Sequence, residues 1–113
     1  MKWYIPDCYW HSRSNGVFVS HEAVCILNTT NLPAVVDMTL YFEDRDKLGG
    51  YTVEVPAERT LHVRLDKLLS QDGIPIPQDT PYAMLIECEQ PITVQYTRVD
   101  TSQPELAIAT TII

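Results

Sequence analysis

The strongest constraint on this chain is a two-residue alternation that recurs in short segments and never gives way to a helical period. Val36, Met38, Leu40 and Phe42 fall on one side of an extended strand, and Asp37, Thr39 and Tyr41 on the other. Beyond the turn-rich E-D-R-D-K-L-G-G, Tyr51, Val53 and Val55 alternate with Thr52 and Glu54. The turn Pro56 to Arg59 then leads into Leu61, Val63 and Leu65, which alternate with Thr60, His62 and Arg64. Taken as neighbours in sequence, these segments predict two successive hairpins.

Further strands are predicted at Val17 to Val19, Ala23 to Asn28, Tyr82 to Cys88, Ile92 to Val99 and Leu106 to Ile113, the third and fourth of these joined by a tight Glu89-Gln90-Pro91 turn. D-K-L-L-S-Q-D-G has room for one helical turn. The following I-P-I-P-Q-D-T-P carries three prolines, which exclude a helix interior or a central strand, and is predicted as an extended crossing loop. About eight short strands and almost no helix predict an all-β fold: an antiparallel β-sandwich of two sheets, built as a single domain over residues 1–113. A chain of 113 residues is long enough to bury a core without disulfides or metal.

Fifteen acidic residues against eight basic ones give a formal net charge of −7. That field repels phosphate backbones and anionic lipid, and the basic residues form no run, so nucleic acid is disfavoured as a partner. Only a convergence of Arg59, Arg64 and Arg98 in space would override the charge. The start, M-K-W-Y-I-P-D-C-Y-W, lacks an uninterrupted apolar stretch, and no segment approaches the ~18 apolar residues of a membrane span, so no membrane insertion is expected. Cys8, Cys25 and Cys88 are odd in number and lack C-x-x-C spacing. Free thiols and a cytoplasmic location follow as expectations.

His21-Glu22-Ala23-Val24-Cys25 is superficially like H-E-x-x-H, in which helical spacing brings i and i+4 to one metal. The flanking residues here are strand formers, and four residues along a strand span about 13 Å, too far for one tetrahedral ion. Ser20, His21 and Glu22 are instead expected to hydrogen-bond backbone groups where the chain enters a central strand, with Cys25 a small buried hydrophobe. No nucleophile elbow, glycine-rich phosphate loop or paired-carboxylate pattern is present, so neither an enzyme nor a cofactor is predicted. Trp3, Tyr4, Tyr9 and Trp10 cluster at the start of the chain. They suit a stacking platform for a carbohydrate or peptide, or a cover for a sheet edge or an oligomer interface. His62 and Arg64, and likewise Thr93, Gln95 and Thr97, are read most simply as solvated strand faces, with a polar protein contact as the alternative.

Six stretches carry a resemblance: W-Y-I-P-D, S-H-E-A-V-C-I-L-N, Y-F-E-D, V-P-A-E-R-T-L-H-V-R-L, I-P-x-D-T and P-I-T-V-Q-Y-T-R-V-D-T. Together, in this order and over nearly the full length, they resemble the sensory rhodopsin transducer family of small bacterial β-sandwich proteins. The resemblance implies a homo-oligomer, a tetramer, acting by protein contact as a signalling adaptor, with a membrane receptor or other signalling protein as partner. The positions carried over by motif match are Ser20, His21, Glu22, Arg59, Arg64, Gln95, Arg98 and Asp100; Trp3 and Trp10 join them as candidate contact residues. The alternative is a small-ligand module that binds carbohydrate through the N-terminal aromatics. A pocket flanked by Trp3 or Trp10 would favour that alternative, and a broad flat patch the adaptor. The apolar residues of Ile92 to Val99 and Leu106 to Ile113 exceed what one small sandwich can cover, which also points to self-association.

Overall fold

The computed structural model describes residues 1–113. Eight strands form: β1 (Lys2–Cys8), β2 (His21–Asn28), β3 (Ala34–Phe42), β4 (Leu48–Val55), β5 (Arg59–Arg64), β6 (Tyr82–Glu87), β7 (Thr93–Asp100) and β8 (Ala107–Ile112), with a single 3-10 turn at Leu65–Lys67. They build two four-stranded antiparallel sheets, β1-β6-β3-β4 and β5-β2-β7-β8. The all-β sandwich expected from the alternation is the observed architecture. β1 of the first sheet packs over β7 of the second, and β4 packs near β2 and β5. Val36, Met38 and Leu40 from one sheet and Val24, Ile26 and Val94 from the other are fully or almost fully buried between them.

Two of the expected elements are placed differently. Val17 to Val19 is no strand: its residues lie in an exposed bend, Val17 at 90% exposure. The eighth strand is β1, whose Pro6 sits at an irregularity of register. Ile5 pairs with Met84 and Cys8 with Tyr82, so Pro6 and Asp7 together oppose the single residue Ala83. An edge strand tolerates a proline at such a bulge because no ladder bond is needed there.

The second expected hairpin does not form either. β3 and β4 are a hairpin, but β4 and β5 belong to different sheets, and β5 pairs with β2. The crossing is held by Asn28, which is fully buried and donates from Nδ2 to the carbonyls of Leu32 (2.8 Å), Val55 (3.2 Å) and Pro56 (3.2 Å). Its Oδ1 accepts from the Thr30 backbone N–H (3.0 Å) and hydroxyl (2.7 Å). A second bulge opposes Gly49 and Gly50 of β4 to Thr39 of β3, and Gly50 takes φ +86°, which a side chain would strain.

β2 is a central strand, as expected, but only one of its faces is covered. Glu22, Val24, Ile26 and Asn28 point inward and are buried; Cys25 is half-buried and Leu27 is 44% exposed. Cys25 therefore lies on the outer face, not in the core, because no third layer covers the second sheet. β8 is exposed at every residue, Ile108 and Ile112 at 61% and 65%. No helix of the structure is long and apolar enough to cross a membrane.

Candidate functional site

The bulge in β1 decides the polar centre of the molecule. By adding a residue it turns Cys8 back to the interior, 1% exposed, and leaves Asp7 at the rim. Inward positions of three other strands converge on the same end of the sandwich: Tyr82 of β6, Tyr96 of β7 and Glu22 of β2, each buried. Glu22 Oε1 accepts from the Tyr82 hydroxyl at 2.6 Å. Its Oε2 accepts from the Tyr96 hydroxyl and from the Tyr9 backbone N–H (2.9 Å). The carboxylate thus joins both sheets and the segment that follows β1. Buried carboxylates need such partners, since leaving them unsatisfied in a low dielectric is costly.

Arg98 completes the network. It is the direct cross-strand neighbour of Glu22, yet it reaches the carboxylate through a relay. Arg98 Nε donates to the Tyr96 hydroxyl (3.3 Å), while its Nη2 donates to the carbonyl (3.1 Å) and Oδ1 (3.2 Å) of Asp7. Burial lowers the guanidinium pKa, but the bonds to Tyr96 and Asp7 outweigh it and the net shift is upward. Burial, and then the Glu22 charge, push the Tyr82 and Tyr96 phenols up and raise the Cys8 thiol to about 12. Beside Arg98 a groove of about 280 Å³ opens between the β1 edge and overhanging β8, with Ile5, Pro6, Ala109 and Ile113 among its walls.

The other motif residues sit elsewhere. Ser20, 3% exposed, donates from Oγ to the Arg13 carbonyl (2.8 Å) and accepts from the Thr101 N–H (2.9 Å), pinning the preceding loop to the end of β7. His21 Nδ1 donates to the Val19 carbonyl (2.9 Å). Asp100 accepts from Ser102 N–H (2.9 Å) and hydroxyl (2.6 Å), which hold its carboxyl below the usual range, and faces His11 Nε2 at 3.5 Å. Gln95 Nε2 donates to Thr110 of β8 (3.1 Å). Arg64 grips Asp66 with two bonds of 2.8 Å, and Arg59 is exposed, donating to the Glu58 carbonyl (3.0 Å).

Arg59, Arg64 and Arg98 do not converge. Arg59 and Arg64 end β5 some 17 Å apart at strand spacing, and Arg64 points outward from the second sheet while Arg98 points inward. Trp3 and Trp10 are half-buried against the core and line none of the four main surface hollows. Cys8, Tyr82 and Tyr96 were not among the candidates. The available signal was strand parity: Glu22 shares its side with Val24 and Ile26, and Tyr82 with Met84 and Ile86, so a buried acid and a buried phenol each required a partner.

The same fold is found in solved structures. A Thermotoga maritima protein, designated 1070, superposes with a TM-score of 0.86 at 35% identity, covering 98% of this chain and 90% of its own. The Anabaena sensory rhodopsin transducer superposes with a TM-score of 0.76 at 43% identity, covering 91% of this chain and 90% of its own. A family model described as Anabaena sensory rhodopsin transducer matches residues 1–113. The chain belongs to the sensory rhodopsin transducer family. No protein with a curated description matches it. In this member of the transducer family, S-H-E-A-V-C-I-L-N and P-I-T-V-Q-Y-T-R-V-D-T are β2 and β7 with their approaches, hydrogen-bonded to each other. Glu22, Tyr96 and Arg98 are what these two stretches contribute to the polar centre.

Proposed function

We propose that this chain is a non-enzymatic, cytoplasmic signalling adaptor that assembles as a homo-oligomer, a tetramer, and acts through protein contacts with a membrane receptor of the rhodopsin type or another signalling protein. The observation that carries the reading is the outer surface of the second sheet. There β8 is an unpaired edge rich in β-branched residues, and the strand residues of the face running from Thr60, His62 and Arg64 through Ala23, Cys25 and Leu27 to Ile108 and Ile112 include no carboxylate in a chain of net charge −7, the one at its margin, Asp66, being paired with Arg64. An exposed edge of this kind pairs readily with another strand, and a flat, charge-poor face suits an isologous contact between copies.

Glu22 supports the non-enzymatic part. It is 1% exposed and both oxygens are engaged, so it organises the interior without reaching a substrate proton. The test is capture of receptors reconstituted in lipid discs by the purified, tagged oligomer, alongside a glycan screen on the same preparation. Retention of a receptor with no glycan bound supports the adaptor. Binding of one sugar class with no receptor retained replaces it by the carbohydrate module.

A further inference from the structure

The outer face of the first sheet differs from that of the second in both chemistry and charge. In the register of β1, β6 and β3, Tyr4 stands opposite Leu85, and Ala83 opposite Tyr41, all four turned away from the core. Tyr4 is 65% and Tyr41 41% exposed. With strands ~4.8 Å apart, the two rings flank the small Ala83 and form the sides of a shallow hollow. It measures about 300 Å³, and Pro6 and Leu85 complete an apolar and aromatic lining. That volume is at the lower end for metabolite sites and suits a single large side chain.

Carboxylates bound this strip at both ends. On one side Asp37 and Glu87 are direct cross-strand partners, an arrangement of like charges that disfavours the pairing. Lys2, next to Glu87 on β1, makes no ion pair with either. On the other side Glu43 lines the continuation of the hollow past Tyr41, beside Asp7, whose carboxylate is already paired with Arg98. An aromatic anchor site between two acidic rims attracts a cationic segment and repels a second acidic face of the same kind.

We propose that this face docks a basic segment of the partner protein, one apolar side chain seated between Tyr4 and Tyr41 with Lys or Arg residues against Asp37–Glu87 and Glu43. The proposal rests on the adaptor reading and names the partner's chemistry: cytoplasmic loops of membrane proteins carry an excess of Lys and Arg close to the spans. Self-assembly through the second sheet leaves this face open, so one molecule carries two surfaces of different polarity for two tasks.

Fluorescence anisotropy with three synthetic peptides tests it on the intact oligomer: a central Leu flanked by Lys and Arg, the same peptide with Ala for Leu, and a Glu-flanked counterpart. The first is expected to bind and the others not. Tyr4→Ala/Tyr41→Ala should weaken it about tenfold or more, the scale of losing aromatic anchors. Asp37→Lys/Glu87→Lys should transfer binding to the Glu-flanked peptide, a swap that partial unfolding does not imitate. Unchanged affinity in both double variants overturns the proposal, as does a fall to monomer mass in the tyrosine variant, which would make the face a contact between copies. In receptor capture, equal retention by wild type and both variants overturns the surface assignment while the adaptor stands. A wild type that retains no receptor, yet shows the charge-swapped peptide preference, removes the adaptor and keeps the surface.

Discussion

Tyr82 and Glu22, 60 residues apart in sequence and on opposite sheets, meet at 2.6 Å. With Tyr96 and the Tyr9 N–H on its other oxygen, the Glu22 carboxylate is the acceptor for three donors in the interior. Glu22→Ala strands these donors, each at about 1–3 kcal/mol. Urea unfolding at fixed protomer concentration should show a loss of roughly 3 kcal/mol or more, with Glu22→Gln losing less because one carbonyl oxygen remains. A Glu22→Ala protein as stable as wild type would show that the centre does not hold the sheets together.

The same centre sets an alkaline limit. Cys8 keeps its proton to about pH 12 in the folded chain against 9.0 for the free thiol, so between these values the unfolded state binds fewer protons than the folded one. Stability is then complete below pH 9 and declines as pH rises toward 12, by up to about 1.4 kcal/mol per pH unit for one group. Tyr82 and Tyr96, shifted in the same direction, steepen the decline above pH 10. Cys8→Ala should shift the onset of the loss upward in urea titrations run from pH 8 to 11.

Thiol reactivity separates the three cysteines. Cys8 and Cys88 are buried and Cys25 half-buried on an outer face. A thiol reagent should modify one group per chain in the dissociated, folded protomer and three in denaturant, with Cys25→Ser removing the protomer's signal. Protection of Cys25 that disappears on dissociation of the oligomer would place the second sheet's face in the contact between copies.

Charge placed on the exposed edge should break self-association without unfolding. Ile108→Lys/Ile112→Lys puts two cations on β8, where both residues are already exposed in the isolated chain. Light scattering after size exclusion is expected to show the wild type as a multiple of 12.9 kDa and the variant near 12.9 kDa, with unchanged circular dichroism. An unaltered mass would move the interface away from β8.

Asn28→Ala removes five hydrogen bonds at the crossing between the sheets. Three carbonyls lose a donor, and a loss of about 2–3 kcal/mol is expected in thermal or urea unfolding, exceeding that of the more exposed Thr30→Val. Equal losses would assign the corner to Thr30 instead.

Alternation by itself determined the all-β class, the two-sheet architecture and, strand by strand, which residues face the interior: Val36, Met38 and Leu40 inward and Asp37, Thr39 and Tyr41 outward follow from period two alone. The motif stretches determined the family. Partnership between strands was not contained in that pattern, because period two fixes a face and leaves the neighbour open. Tertiary structure sent β5 to β2 and not back to β4, since Asn28 ties the carbonyls of Val55 and Pro56 across the corner. It also left β2 uncovered on one face, which brought Cys25 to the surface, and inserted the β1 bulge that aims Asp7 at Arg98 and Cys8 at the core. Glu22 illustrates the division. Its parity with Val24 and Ile26 was legible, but the hydroxyls that make its burial tolerable come from strands 60 and 74 residues away, and only packing of the two sheets brings them to it.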